Sequence, residues 1–486
     1  MPLEQHLYSM ILLIANCPFS TKRLTLNSHY PLRLPITHYP LPMTVSRTIG
    51  LGFLAVIALG TILLMLPFSL SARTWGNPLT ALFTSTSAVC VTGLSVVDVG
   101  KFYSFWGQFI IVLLVQVGGL GYMTVTTFLL LLLGRKFRLK DKLALQQSLD
   151  ASGIAGAVPL LKSIVATTAL FEITGIFLLL FVFVPDLGWS QGLWFALFHS
   201  VNAFNNAGFG LLSDSFVRYV NSPVLNFIIT FLIIWGGMGY QVIQELYLWI
   251  GNRLSKYPLR RDFSVHFRVV TSTTIFLLIL GTALLFFTEH HNPGTLAPLN
   301  FPDQVMAAWF QSVTTRTAGF NTINNGELTV AGLFISIILM FIGASPGGTG
   351  GGIKTTTVRI LANSTRSALQ GREEVICYKR QIPLPLILKA IGVLFGSFMV
   401  ICISAILISL SQPNIDFDSI LFEVVSAFAT VGLSTGITAS LTPLSQLIII
   451  TTMYVGRVGV ILLMSAILGD PKPTSIDYPE QNLLVG

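Results

Sequence analysis

The sequence predicts an all-α membrane protein in which four tandem helix, pore loop, helix repeats surround one pseudo-fourfold pore, giving eight transmembrane helices and four re-entrant half-helices. Three observations predict it. The 486 residues are 53% hydrophobic and only 10% charged, with a mean hydropathy of +0.76, and apolar stretches near 20 residues recur along the whole length, each long enough to cross a hydrocarbon core of about 30 Å. A short motif recurs four times at nearly constant spacing. Each copy lies between two of the long apolar stretches.

Taken in order, residues 1–42 are proline-rich and irregular. Their one apolar run, "LYSMILLIA", is too short to span and lacks a basic leader. The segment reads as a flexible tail or as a start placed too early, since Met43 stands just before the first convincing span. Repeat 1 then covers 43–134, repeat 2 covers 135–251, repeat 3 covers 252–380, repeat 4 covers 381–470, and 471–486 form a tail. The helix before each motif is expected near 49–70, 159–184, 268–288 and 386–410, and the helix after it near 105–133, 222–250, 330–362 and 445–468.

The motifs are "LFTSTSAVCVTGLSV", "LFHSVNAFNNAGFGL", "WFQSVTTRTAGFNTI" and "LFEVVSAFATVGLST". Their glycines, Gly93, Gly208, Gly319 and Gly432, are 115, 111 and 113 residues apart. About ten residues of each motif suit a helix, half the length a span needs, so each should enter and leave on one side of the membrane. Non-helical backbone at membrane depth survives only where protein buries it or where it lines a wet cavity. Four such segments satisfy this together by meeting around one axis.

The basic stretches "GRKFRLKDK" (134–142), 251–268, and the segment with Arg359, Arg366, Arg372, Lys379 and Arg380 are expected in the cytoplasm by the positive-inside rule, which places both termini there and the chain in the plasma membrane. The opposite loops carry Asp98, Asp186, Asp214, Glu289, Asp303, Glu327, Asp416 and Asp418. Such a side attracts cations, although any one of these acids is equally an ordinary loop residue. The net charge of +8 is read as topology, with no nucleic-acid partner. Cys17, Cys90, Cys377 and Cys402 form no spaced pair or zinc pattern.

A half-helix followed by extended backbone can aim carbonyls at an axis and replace the water shell of a potassium ion. Alternating backbone conformations are needed, and glycine reaches the left-handed ones cheaply. The candidate ion-binding set is therefore Val91, Thr92 and Gly93; Asn206, Ala207 and Gly208; Thr317, Ala318 and Gly319; and Thr430, Val431 and Gly432. The competing reading is a helix-breaking turn of any transporter. Potassium is the only metal expected.

"GASPGGTGGGIKTTT" superficially resembles a phosphate-binding loop, but Ile353 separates Gly352 from Lys354 and a long apolar helix precedes it, so the Walker arrangement fails. Six glycines in 343–352 together with Pro346 break the helix instead. The expected gate comprises Gly343, Ser345, Pro346, Gly347, Gly348, Thr349, Gly350, Gly351 and Gly352, with Lys354 and Arg457 as unusual intramembrane or near-membrane charges. Lys354 is near enough to the cytoplasmic end to reach headgroups.

"TSTSAVCVTGL", "FHSVNAFNNAGF", "TTRTAGFNT" and "FATVGLSTGIT", with "GASPGGTGGGIKTTT" and "MYVGRVGVILL", resemble the Trk/Ktr/HKT superfamily of potassium transporters, most closely its bacterial Ktr membrane subunit of the KtrB/NtpJ type, over about residues 46–470. The resemblance implies potassium uptake, a homodimer with one pore per protomer, and a separate cytosolic ring of nucleotide-binding regulatory subunits (KtrA/TrkA-like). It further implies that glycine at all four filter positions goes with potassium whereas serine in the first repeat goes with sodium, that 343–352 is an intramembrane gating loop, and that Arg457 projects into the pore below the filter. No cofactor is implied beyond K+ itself, with Na+ left open as a stimulating or coupling ion.

Arg316 departs from the pattern. It is expected to turn behind the filter toward Glu423 or an external acid. Glu172 and His199 are expected as hydrogen-bonded packing groups, with proton or sodium ligation as the alternative. The rival to a passive pore is a sodium- or proton-coupled symporter of another monovalent cation, against which stands the expectation of one broken helix only, without inverted repeats. An enzyme is not expected, because no paired catalytic motif such as HExxH occurs.

Overall fold

A computed structural model describes residues 45–121, 124, 157–254 and 262–468. The expected tails 1–42 and 471–486, the basic stretch 134–142 and the boundary between repeats 1 and 2 lie outside the described residues. The described chain is mainly helical.

The order of elements follows the sequence closely. Helix α1 (Val45–Met65) is apolar throughout and long enough to span. A short helix α2 (Pro78–Cys90) follows, started by Pro78 and by Asn77, whose side chain accepts from Leu79 N. One turn, α3 (Val99–Phe102), leads to α4 (Phe105–Leu120). Next comes α5 (Ala157–Phe204), in which Pro185 and Gly188 (φ 77°, ψ 172°) turn the chain so that its last part forms a second short helix. Helices α6 (Pro223–Met238) and α7 (Tyr240–Arg253) complete that series.

A third series runs through α8 (Val265–Glu289), the short α9 (Phe301–Thr314), α10 (Val330–Phe341) and α11 (Thr355–Leu369). After a two-residue hairpin pairing β1 (Ile376–Cys377) with β2 (Arg380–Gln381), the fourth uses α12 (Leu384–Ser411), the short α13 (Phe417–Phe428), α14 (Pro443–Val458) and α15 (Val460–Leu468). Ser104, Ser222, Thr329 and Thr442 each accept a backbone N–H three residues on at the start of α4, α6, α10 and α14. Those donors have no intrahelical partner, and hydrocarbon offers none.

Packing closes the series on itself. The helix after each short segment packs on the short helix of the next series: α4 on α5, α6 on α9, α10 on α13, and α14 back on α2. The short helices are the buried core, with Phe83, Phe198, Phe310 and Phe422 inaccessible. Phe181, Phe227, Phe287 and Ile279 stay exposed on the long helices, as a surface facing lipid requires.

The helices after the short segments differ from expectation. Among the described residues four helices are long and apolar enough to cross a membrane, or six when two bent pairs each count as one span. The expectation of one broken helix is corrected: α6 and α7 meet at 100° and α14 and α15 at 95°, hinged on Gly239 (φ 92°) and Gly459 (φ 89°). Helix α4 ends at Gly121 (φ 79°), beyond which the expected helix 105–133 lies, apart from Thr124, outside the described residues, and α10 ends at the glycine-rich loop. These positive φ values are ones a side chain resists, which is why a glycine stands at each hinge.

Candidate functional site

The four short helices end alike. Val91, Asn206, Thr317 and Thr430, two residues before each motif glycine, have φ of 59°, 57°, 71° and 52°. Gly93, Gly208, Gly319 and Gly432 follow with φ of 93°, 68°, 83° and 93°. Positive φ alternating with negative φ turns successive carbonyls to the same side, where an ordinary strand would alternate them. Four non-glycine residues held left-handed at one relative position constitute stored backbone strain, which tends to mark functional sites.

The strain is held by hydrogen bonds at the helix C-termini. Val91 N donates to Ala88 O and Thr92 N to Ser87 O; Asn206 N to Ala203 O and Ala207 N to Asn202 O; Thr430 N to Ala427 O and Val431 N to Ser426 O. This is the paired closure that ends a helix on a left-handed residue. The third segment has one residue fewer between its Phe310 and Gly319, and there a single Ala318 N to Thr314 O bond replaces the longer one. Ser87 and Ser426 hydroxyls also accept Gly93 N and Gly432 N at 3.0 and 3.1 Å.

The glycines come together in a closed ring. A Cβ on Gly93 would strike Ala207 O and Gly208, one on Gly208 would strike Ala318 O and Gly319, one on Gly319 would strike Val431 O, and one on Gly432 would strike Thr92 O and Gly93. All twelve residues of the expected ion-binding set thus belong to four adjoining backbone turns, and the eight non-glycine members are fully buried. A mouth of about 550 Å³ opens onto the ring, lined by the four glycines and by Asp98, Asp214 and other polar residues.

The expected gate residues lie against the ring. A Cβ on Gly350 would meet Thr317 Oγ1, and one on Gly351 would meet Thr430 Oγ1. Ser345 N donates to Gly237 O and Thr349 N to Gly236 O, while Tyr240 N donates to Gly347 O, so the loop is fixed to the hinge between α6 and α7. Thr355 Oγ1 bonds Ser345 Oγ at 3.0 Å. Arg457, two residues before the Gly459 hinge, donates from Nη1 to Thr349 O and from Nη2 to Gly118 O. Lys354 Nζ turns back onto Gly350 O at 2.7 Å, where a reach toward headgroups was expected.

Three further residues singled out in the sequence have defined partners. Arg316 does turn behind the ring, but its partners are the carbonyls of Thr274 (3.4 Å) and Gly343 (3.1 Å). Glu423 instead accepts from Thr438 Oγ1, so the suggested ion pair is absent. His199 donates from Nδ1 to Phe195 O at 2.8 Å, accepts Leu211 N at Nε2 (3.3 Å) and lies among aromatic rings. Glu172 accepts from Asn205 Nδ2 at 2.9 Å and Gln116 Nε2 at 3.2 Å, joining α5 to α4. Sequence reasoning missed Gln116 and Asn205; a glutamine in the apolar run of α4 was the available signal.

Apolar spanning helices that carry short inward helices around a buried backbone ring define a polytopic membrane protein of the cation-transport class. The chain belongs to the TrkH family, described as cation transport protein, whose family model matches residues 42–473. It is 36% identical to the Ktr system potassium uptake protein B of Bacillus subtilis over 91% of this chain and 97% of that protein. Identity is 38% to the protein of the same name from Vibrio alginolyticus, over 90% and 94%, and 34% to the potassium/sodium uptake protein NtpJ of Enterococcus hirae, over 90% and 97%. In fold it is similar to the crystal structure of the potassium transporter TrkH from Vibrio parahaemolyticus, with a TM-score of 0.68 at 18% identity over 90% of this chain and 86% of that one.

Proposed function

We propose that this protein takes up potassium across the plasma membrane through a pseudo-fourfold pore whose selectivity filter is the ring at Gly93, Gly208, Gly319 and Gly432. The observation that carries this reading is the closed ring of four glycines with alternating φ. Carbonyls turned to one side replace the hydration shell of a desolvated monovalent cation. The C-termini of four short helices adjoin the ring, and their dipoles favour positive charge there. The acidic residues at the mouth, Asp98 and Asp214, raise the local cation concentration.

The loop 343–352 then acts as the gate. It lies against Thr317 and Thr430, and Arg457 places a positive charge beside it that repels a cation leaving the filter. Movement of the loop away from the α6/α7 hinge clears the path. The same reading places both termini in the cytoplasm and takes a homodimer with a ring of nucleotide-binding subunits as the regulated assembly, in line with the relatives described as Ktr system proteins. Sodium stimulation accords with the potassium/sodium description of the E. hirae relative. The bends in α6/α7 and α14/α15 stand at corresponding places in the second and fourth series, unlike the paired inversion of secondary symporters.

The test is rubidium and sodium uptake in cells lacking their own potassium systems, comparing the native chain with Gly93→Ser. Uptake turned from rubidium toward sodium in the variant supports the filter, whereas loss of both follows from the clash of any Cβ at Gly93 with Ala207 O. Equal uptake by both proteins would refute it.

A further inference from the structure

Arg316 is a charge in a place where the other three segments have none. Three residues before Gly93, Gly208 and Gly432 stand Cys90, Asn205 and Ala429. The Arg316 side chain is buried, and its two carbonyl contacts use only part of the five N–H donors of a guanidinium. Neither of the two ion pairs among the described residues involves it. A buried guanidinium without a countercharge is strongly unfavourable, and this one stands beside a path proposed for cations.

A cavity of about 20 Å³ adjoins it, walled by Ile233, Leu278, Val313 and Ala344 and also lined by Thr274 and Arg316. Thr274 is buried and its hydroxyl has no protein partner. A space above about 10–15 Å³ on this measure admits one small occupant. The guanidinium and the unpartnered Thr274 hydroxyl thus both line a space for one atom-sized acceptor, and the surplus positive charge favours an anion there over water.

We propose that this cavity binds one chloride ion, held by the Arg316 guanidinium and the Thr274 hydroxyl. The ion cancels the arginine's charge beside the third filter segment and fixes α8, α9 and the start of the loop at Gly343 together. Its place in potassium uptake rests on the function proposed above, but its existence does not.

The probe is bromide, which scatters anomalously and has chloride's charge. Crystals of the full chain grown in potassium bromide are expected to show an anomalous peak within hydrogen-bonding distance of Arg316 and Thr274 Oγ1. In solution, bromide or chloride is expected to raise the thermal unfolding midpoint above that in gluconate. Thr274→Val, nearly isosteric, should raise the half-saturating bromide concentration by about tenfold, the scale of one hydrogen bond to a charge. Arg316→Met should abolish the effect; if it does not fold, Thr274→Val still decides. A cavity without anomalous density at saturating bromide, or identical bromide dependence in the native chain and Thr274→Val, would overturn the proposal. Neither readout involves transport, so failure here would leave the potassium reading standing, and the reverse.

Discussion

Arg457 on α14 donates from Nη1 to the backbone carbonyl of Thr349 at the turn of the glycine-rich loop, 108 residues earlier in the chain. Because its Nη2 also reaches Gly118 O at the end of α4, one guanidinium ties the loop to two helices that are remote in sequence. Thr349 is held besides by Gly236 O through its N–H and by Phe204 O through its hydroxyl at 3.2 Å. Thr349 is thus a firmly fixed point of this glycine-rich loop.

Replacing Arg457 with Gln removes the charge and most of that tether. Hydrogen bonds to a charged group are each worth about 1.5–3 kcal/mol, so the closed loop loses stability relative to a displaced one. Rubidium uptake without any regulatory partner is expected to rise by about tenfold, the change that about 1.4 kcal/mol produces, with preference over sodium kept. Unchanged or slower uptake would show that Arg457 does not hold a barrier.

The loop glycines separate space from backbone conformation. Gly350 has negative φ, but a methyl there would strike Thr317 Oγ1 and approach the Ala344 Cβ to 2.7 Å. Gly347 is the converse, with φ 70° and no atom within 4 Å of an added Cβ. Gly350→Ala should push the loop from the filter and raise uptake several-fold, since overpacking costs about 1–3 kcal/mol in the packed state alone. Gly347→Ala should lower the thermal midpoint by the cost of a left-handed alanine, about 1–2 kcal/mol, with uptake within about twofold of native. Equal losses of uptake in both variants would argue against an occluding loop.

The ring was legible because its signal is repetition: four glycines at near-constant spacing, each after a half-length helix, imply one shared structure. The loop was legible because six glycines and a proline exceed what any kink needs. The hinges at Gly239 and Gly459 were not, since an isolated glycine in an apolar helix is tolerated at about 1 kcal/mol and gives no sign of its φ. The "GGLGY" and "GGMGY" pairs at 118–122 and 236–240 carried the missed signal. Partners of Arg316 and Glu172 were illegible for another reason: they are set by which helices meet across series, and local sequence does not encode that.

Glu423 shows how the repetition predicts a tolerated change. The residue after the buried phenylalanine of each short helix braces the chain descending from the ring, and in the third series Gln311 Nε2 does so by donating to Asn325 Oδ1 at 2.8 Å. Asn325 and Thr438 are each six residues beyond their ring glycine. Glu423 accepts from Thr438 Oγ1, and its Oε2, like Gln311 Oε1, has no partner. Glu423→Gln should therefore keep uptake within about twofold and stability within about 0.5 kcal/mol, the scale of a substitution that breaks no named contact. Glu423→Leu should destabilise by about 1 kcal/mol, the net scale of one hydrogen bond, because the Thr438 hydroxyl loses Glu423 and keeps only Ser434 Oγ at 2.9 Å. Loss of uptake in Glu423→Gln at normal stability would instead assign the carboxylate an ionic role.

At the mouth, Asp98 offers a prediction in pH. Partial burial pushes its carboxyl upward, but hydrogen bonds from the Ser213 hydroxyl (2.6 Å) and the Lys101 backbone N–H (3.2 Å), with the Lys101 ammonium nearby, outweigh it and hold the group below the usual carboxylate range. A carboxyl depressed in the folded state stabilises the fold above its unfolded pKa, about 3.9, and this contribution fades as pH falls through the folded value. The contact links the loop after Gly93 to the loop after Gly208, so its loss loosens the mouth rather than the core. Asp98→Asn should unfold at a lower temperature than the native chain at pH 7, and the gap should close as the pH is lowered below about 4. The exposed Lys101 partner contributes least and should be screened by salt, whereas the Ser213 bond should not. A gap that is independent of pH would mean that the carboxylate's charge is not what joins the two loops.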